Sequence, residues 1–244
     1  MPTSIPVDVL REILEHVRYA DLPALCRVNK IFCSYSQDVL YREIYNQGKD
    51  LTQTLAQSTD LARRVRLFST YTDYPELAAA LRNMSSLRIL ELWYYGDVEL
   101  VLDGCTFKLD SFKTTLPYSE SLQQFLISQP SITHLGFFMD HKSMPRFDER
   151  CLPNLTRIHA HLSWLSILIP GRPVTEVTTR SASDIDLSFF TLSTTPIQKL
   201  RIPYDRLFPN PVSLLVSIFP SLVHLVVDAY NVDWTVRVPQ CLSI

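Results

Sequence analysis

Glycine is scarce: the 244 residues hold five (Gly48, Gly96, Gly104, Gly136 and Gly171), and no two stand close enough for a G-x-G-x-x-G turn or a phosphate-cradling loop. That argues against nucleotide chemistry. Paired cysteines are missing too. Cys26, Cys33, Cys105, Cys151 and Cys241 are odd in number and contain no C-x-x-C, so neither a disulfide framework nor a structural zinc site is indicated. They read as reduced, mostly buried thiols of an intracellular protein. No charge of one sign dominates. With 23 Lys+Arg against 25 Asp+Glu and a pI near 6.3, the chain lacks the basic footprint of a nucleic-acid binder. Long apolar runs are absent: Val212 to Val227 is broken by Pro220 and His224 and is shorter than the roughly 20 residues a membrane span needs. The first twenty residues carry Asp8, Glu12 and Glu15 and no unbroken apolar stretch, which excludes a secretory signal and predicts the cytoplasm or nucleus. No serine sits in a G-x-S-x-G elbow.

What is present suits a buried core: 46% hydrophobic and 20% charged residues, at a length fitting one elongated domain or a small domain followed by a larger one. Between Pro6 and Val17 the residues Val7, Leu10, Ile13, Leu14 and Val17 recur at steps of three and four, which predicts an amphipathic helix with Pro6 in its first turn. A short helix with Leu22, Leu25 and Val28 on one side follows Asp21. A third runs from Asn29 to Tyr45, with Phe32, Tyr35, Val39, Leu40, Tyr41 and Ile44 forming its apolar face, before the polar boundary Asn46 to Asp50. Three helices in fifty residues bury too little to stand alone. Their apolar faces point in more than one direction, so a stripe is expected to remain free for another protein, anchored by a few buried side chains.

Ile5-Pro6, Asp8, Leu10, Ile13-Leu14, Asp21-Leu22, Leu25, Val28, Phe32, Leu40 and Tyr41, taken in order, resemble an F-box. Ile5 stands where that family usually has Leu, Lys30 where it often has Arg and Tyr41 where Trp is frequent, replacements that keep size or charge. The resemblance implies docking to the Skp adaptor, and through it to a cullin scaffold, by Pro6, Leu10, Ile13, Leu14, Leu22, Leu25, Val28, Phe32, Leu40 and Tyr41. The competing reading is a helical cap that merely covers the end of the next domain.

From residue 60 an apolar-x-x-apolar-x-apolar unit keeps returning: Leu87/Leu90/Leu92, Ile132/Leu135/Phe137, Leu155/Ile158/Ala160, Val174/Val177/Thr179, Ile197/Leu200/Ile202 and Leu222/Leu225/Val227, with weaker copies at Ala62/Val65/Leu67 and Leu102/Cys105/Phe107. The mean period from 87 to 222 is 22.5 residues, inside the leucine-rich-repeat range. Pro130, Pro153, Pro173, Pro196 and Pro220 precede copies and end the segment before each strand. Leu77 to Met84, the stretch behind Ser119 and Glu120, and Val212 to Phe219 read as helices. Alternating helix and strand at this period predicts right-handed crossovers. The expected fold class is therefore α/β: a three-helix F-box at 1–48, then an irregular leucine-rich-repeat solenoid with a curved parallel sheet at 49–244. The whole resembles the divergent F-box and leucine-rich-repeat-like proteins abundant in fungi; a compact α/β domain is the alternative. A regular leucine-rich repeat has Asn or Cys three residues after its last apolar position. Here stand Tyr95, Asp140, Ser163, Ala182, Asp205 and Tyr230, so short strands and uneven loops are expected.

His159 and His161, two apart on a predicted strand, share one face, but two side chains fall short of the three or four a metal needs. They are read as part of a recognition face with Trp93, Phe138, Arg180 and Arg201. The expectation is a substrate-recognition subunit of an SCF-type ubiquitin ligase, without cofactor or catalytic residue, whose repeat array holds an unidentified target. The alternative is a repeat scaffold unconnected to a ligase.

Overall fold

The structure, a computed structural model, describes residues 6–45, 48–93, 101–139, 147, 151–179, 187–203, 218–229 and 232–237, with 228, 229 and 232–237 described as backbone only. Contacts divide the chain into two units, Met1–Leu90 with Val101–Phe107 and Glu91–Leu100 with Lys108–Ile244. The division falls near residue 90, whereas the sequence suggested one at 48.

In the first unit, the predicted amphipathic helix is α1 (Val7–Glu15), and Pro6 sits just ahead of it where its missing N–H costs nothing. A 3-10 turn at Tyr19–Asp21 runs into α2 (Leu22–Leu25). The third helix, α3 (Lys30–Arg42), starts because the Asn29 side chain accepts from the amides of Ile31 and Phe32 at 2.9 and 3.0 Å, satisfying two donors that no helical carbonyl can reach. It stops three residues short of the expected Tyr45. Glu43–Tyr45 is instead strand β1, whose Ile44 is buried and registers with Phe68 of the parallel β2 (Leu67–Thr70). A β-branched residue opposite an aromatic in a sheet outweighs one more helical turn here. Between these strands lie α4 (Lys49–Gln57) and α5 (Thr59–Ala62); α6 (Leu77–Asn83) follows β2 and leads to β3 (Ile89–Leu92), which crosses the division.

In the second unit, β4 (Ser111–Thr114), β5 (His134–Phe137), β6 (Arg157–Ala160), β7 (Glu176–Thr179), β8 (Lys199–Pro203) and β9 (His224–Ala229) pair in parallel in chain order. Helices at Glu120–Ile127 and Leu162–Leu168 and a 3-10 segment at Leu187–Leu192 provide crossovers. The predicted helix at Val212 to Phe219 lies almost wholly outside the described residues. A last strand, β10 (Val232–Arg237), turns back antiparallel on β9. Ser111, His134, Arg157, Glu176, Lys199 and His224 align across the sheet, 23, 23, 19, 23 and 25 residues apart.

Five expected repeat units from Ile132 onward end on these strands. The weak copy at Leu102/Cys105/Phe107 does not: the strand lies at Ser111–Thr114 and is carried by Leu109, Phe112 and Thr114, all fully buried. In place of an asparagine ladder, assorted polar side chains before the strands tie each turn to the one before it. Gln129 Oε1 accepts from the Leu109 amide at 3.0 Å; Asn154 Nδ2 donates to the Pro130 carbonyl at 3.0 Å and Ser193 Oγ to that of Val174 at 3.0 Å. The turns' backbone groups are thus satisfied without a repeated residue type, which is why no motif advertised it.

Candidate functional site

Two surfaces stand out. The first is on the F-box-like helices. Leu10, Leu14 and Leu22 form a buried cluster against which Val17, Leu25, Phe32, Tyr35, Val39 and Leu40 pack. Arg42 of α3 reaches Glu15 of α1 at 2.9 Å, and Tyr19 Oη donates to the Leu40 carbonyl at 2.9 Å, so the helices are tied at their ends as well as through their core. That core is complete within the chain. Leu10, Leu14 and Leu22, three of the ten expected contact residues, therefore offer no free surface and serve to hold the helices together. Leu25, Phe32, Leu40 and Tyr41 are half-buried; Pro6, Ile13 and Val28 are exposed.

Two apolar side chains outside the expected set are as open: Val9 is 48% exposed, like Ile13, and Ile31 57%, close to Val28 at 59%. At 100° per residue Pro6, Val9 and Ile13 fall within about 60° of arc on α1, beside the buried arc of Leu10 and Leu14. Val28 and Ile31 flank the Asn29 cap at the start of α3. Val9 and Ile31 were missed by periodicity because they sit off the core-facing pattern. That same misfit was the available signal, since an apolar residue on the outward edge of an amphipathic helix has no reason to be there in an isolated chain.

The second surface is the sheet face of the second unit opposite its core. Phe112 and Thr114, Leu135 and Phe137, Ile158 and Ala160, Val177 and Thr179, Leu200 and Ile202, and Leu225 and Val227 are buried on one side. Parallel sheets are as a rule covered on both faces. Here the alternate positions Lys113, His134, Arg157, His159, Glu176, Thr178, Lys199, Arg201 and His224 retain solvent exposure. Lys113 Nζ meets Glu91 Oε1 at 2.9 Å and Lys199 Nζ meets Glu176 Oε1 at 2.7 Å, so each of these two glutamates is paired with a lysine, while Arg157 and Arg201 add positive charge.

Trp93, Phe138 and His159 form a ladder of ring contacts, with centroids 4.7 and 4.5 Å apart, the first pair tilted at 49° and the second edge-to-face at 70°. Gly136 makes room for it. A Cβ there would lie 2.9 Å from the Phe138 ring and 3.0 Å from Lys113 Cγ, and beside the glycine is a dip of about 120 Å³ bordered by Lys113, His134, Arg157 and Glu176. Of the expected target-contact residues, the structure therefore brings Trp93, Phe138 and His159 together and puts Arg201 on the same face. His161 is not on the strand: β6 ends at Ala160, and His161 precedes the helix Leu162–Leu168. Arg180 lies outside the described residues.

Burial pushes the Cys105 thiol up to about 12. The Cys26 thiol is raised by burial and then by Cys33. Neither is an activated nucleophile, for which the shift would have to run downward. Among the described residues no three of His, Cys, Asp and Glu gather at metal-binding range.

Compared with known families, the helical segment has a clear counterpart: residues 3–43 match the F-box domain. The chain thus carries an F-box at its amino end. F-box domains in general bind Skp adaptors, and proteins that carry them are in general adaptors rather than enzymes. No curated protein matches the chain.

Proposed function

We propose that this chain is a substrate-recruiting subunit of an SCF-type ubiquitin ligase in the cytoplasm or nucleus. Its F-box docks on the Skp adaptor, and through it on a cullin, by Pro6, Val9, Ile13, Val28 and Ile31. The exposed face of the second unit, a leucine-rich-repeat-like array, holds a target protein. The chain supplies no bond-making group; it raises the local concentration of the target's lysines near the charged transfer enzyme. The observation that carries this reading is a helical module with its own core sealed and apolar side chains left outside it. Arg201, Arg157 and the Trp93–Phe138–His159 ladder support a protein partner on the sheet face, since aromatic residues and arginine are the types enriched at interface centres.

Co-purification of the full chain with the Skp adaptor tests it. The unmodified chain is expected to retain the adaptor, and the double variant Val28→Asp, Ile31→Asp to lose it with an unchanged circular dichroism spectrum. Failure of the unmodified chain to retain it would return the protein to the scaffold reading.

A further inference from the structure

The sequence Arg63-Arg64-Val65-Arg66 has no part in either surface described above. Its three arginines line an open cleft of about 480 Å³ in the first unit, together with Arg11 of α1, Asp38 and Arg42 of α3, and Asp60 of α5. Five guanidiniums around one cavity repel one another unless acids or a ligand intervene. The carboxylates present are unevenly spent. Arg64 takes two of them: its Nη1 donates to Asp38 and, at 2.9 Å, to the Ser34 carbonyl, and its Nη2 to Asp60 at 3.3 Å. Burial by itself would lower the Arg64 pKa, but Asp38 and Asp60 outweigh it and the pKa is raised. Arg64 is therefore a fixed, charged part of the wall. Arg42 takes Glu15.

Three arginines are left without a carboxylate. Arg66 donates from Nη1 to the Ser86 carbonyl at 3.0 Å. Arg11 lies over the Tyr35 ring, 5.4 Å from its centroid. The Arg63 guanidinium makes no hydrogen bond or ion pair among the described residues; its backbone amide donates to the Thr59 carbonyl at 3.0 Å. Counting Glu15, the cleft holds two positive charges in excess, within a chain of formal net charge -2. The cation–π contact with Tyr35 and the hydrogen bond to the Ser86 carbonyl already orient Arg11 and Arg66, which lowers the entropy lost when a ligand arrives. A planar carboxylate would cancel half of the excess. A phosphate dianion cancels all of it and offers oxygens to several guanidinium forks at once.

We propose that this cleft is a binding site for a phosphate dianion, carried as a monoester on the natural ligand. The site lies on three segments of the first unit and does not depend on the ligase reading.

Isothermal titration of the full chain with inorganic phosphate, with a short phosphoserine peptide and with acetate, at matched ionic strength, tests the site. Phosphate or the peptide is expected to bind at least tenfold more tightly than acetate; tighter binding of the peptide would assign the monoester to a protein, equal binding to a free phosphorylated compound. Arg63→Gln and Arg66→Gln, both at exposed positions, are each expected to raise the phosphate Kd about tenfold at unchanged melting temperature, and Arg11→Gln, on a separate helix, to act in the same direction. Phosphate and peptide binding no better than acetate, or arginine variants that keep the wild-type Kd, would overturn the proposal.

Discussion

Ile13 and Leu14 are neighbours on α1 with opposite fates, and replacing each by alanine separates the module's folding from its docking. Leu14 is fully buried among Leu10, Leu22 and the residues packed on them. Removing its side chain beyond Cβ takes away transfer energy and leaves a cavity, a change that costs 2–5 kcal/mol in comparable cores, so a loss of about 3 kcal/mol is expected for Leu14→Ala. For a unit of the size of Met1–Leu90 with Val101–Phe107 that lowers the melting temperature by roughly 12–24 °C. Ile13 is 48% exposed. Fully burying such a side chain is worth roughly 1.5–3 kcal/mol, so about half, near 1 kcal/mol, is still to be gained when a partner covers it. Ile13→Ala should therefore weaken adaptor binding roughly fivefold to tenfold and leave the melting temperature nearly unchanged. Thermal unfolding by circular dichroism and titration with purified Skp adaptor read the two quantities independently. An Ile13→Ala melting temperature as depressed as that of Leu14→Ala would refute the reasoning, because both residues would then belong to the core. So would an unaltered adaptor affinity.

Arg172, fully buried, donates from Nε to the Cys151 carbonyl at 2.8 Å and from Nη1 to those of Ile167, Leu168 and Pro170 at 3.1–3.2 Å, which caps the end of the helix Leu162–Leu168. Arg172→Met should cost about 4 kcal/mol in urea unfolding, since several buried carbonyls lose their donor at about 1–3 kcal/mol each; a loss below about 1.5 kcal/mol would show that water replaces the guanidinium. Gly136→Ala is expected to destabilise by about 1–3 kcal/mol through the clash with Phe138 and Lys113 and to move the Trp93 fluorescence; an unmoved spectrum would mean that the ladder does not rest on the glycine. The Cys105 thiol is held neutral up to about 12, whereas the unfolded chain releases its proton near 9.0. The stability this provides is complete below pH 9 and is lost as the pH rises toward 12, so Cys105→Ala should flatten the alkaline fall of stability in that window; an equally steep fall in the variant would assign it to other groups.

The legible parts of this fold were those in which one local pattern meets one local answer. The helix Glu120–Ile127 and the strands from β5 to β9 each bury their core-facing apolar positions against neighbours close in sequence, so period alone located them. Where a polar atom does the work of an apolar one, the pattern slipped. Thr114 fills a core position of β4, with its Oγ accepting from the Leu116 amide at 2.9 Å, and the expected repeat settled seven residues early on Leu102, Cys105 and Phe107. Pairing at a distance also decided Ile44, which looks helical beside α3 until Phe68 stands next to it in the sheet.

The candidate sites follow the same logic more severely. Periodicity shows that α1 has an apolar arc too wide for one neighbour, but which edge of it is sealed depends on where α2 and α3 come to rest, so Leu10 and Leu14 went inside while Val9 and Ile13 stayed out. Arg63, Arg66 and Arg11 belong to one cleft only because α5 and its following turn lie beside α1 and α3, and Arg172 looks like any surface cation until four carbonyls from two segments meet it. A sequence states which side chains tend to leave water and which carry charge. Only the packed structure shows which apolar groups are left in solvent and which cations are left without an acid, and those unmet demands mark where a partner or a ligand belongs.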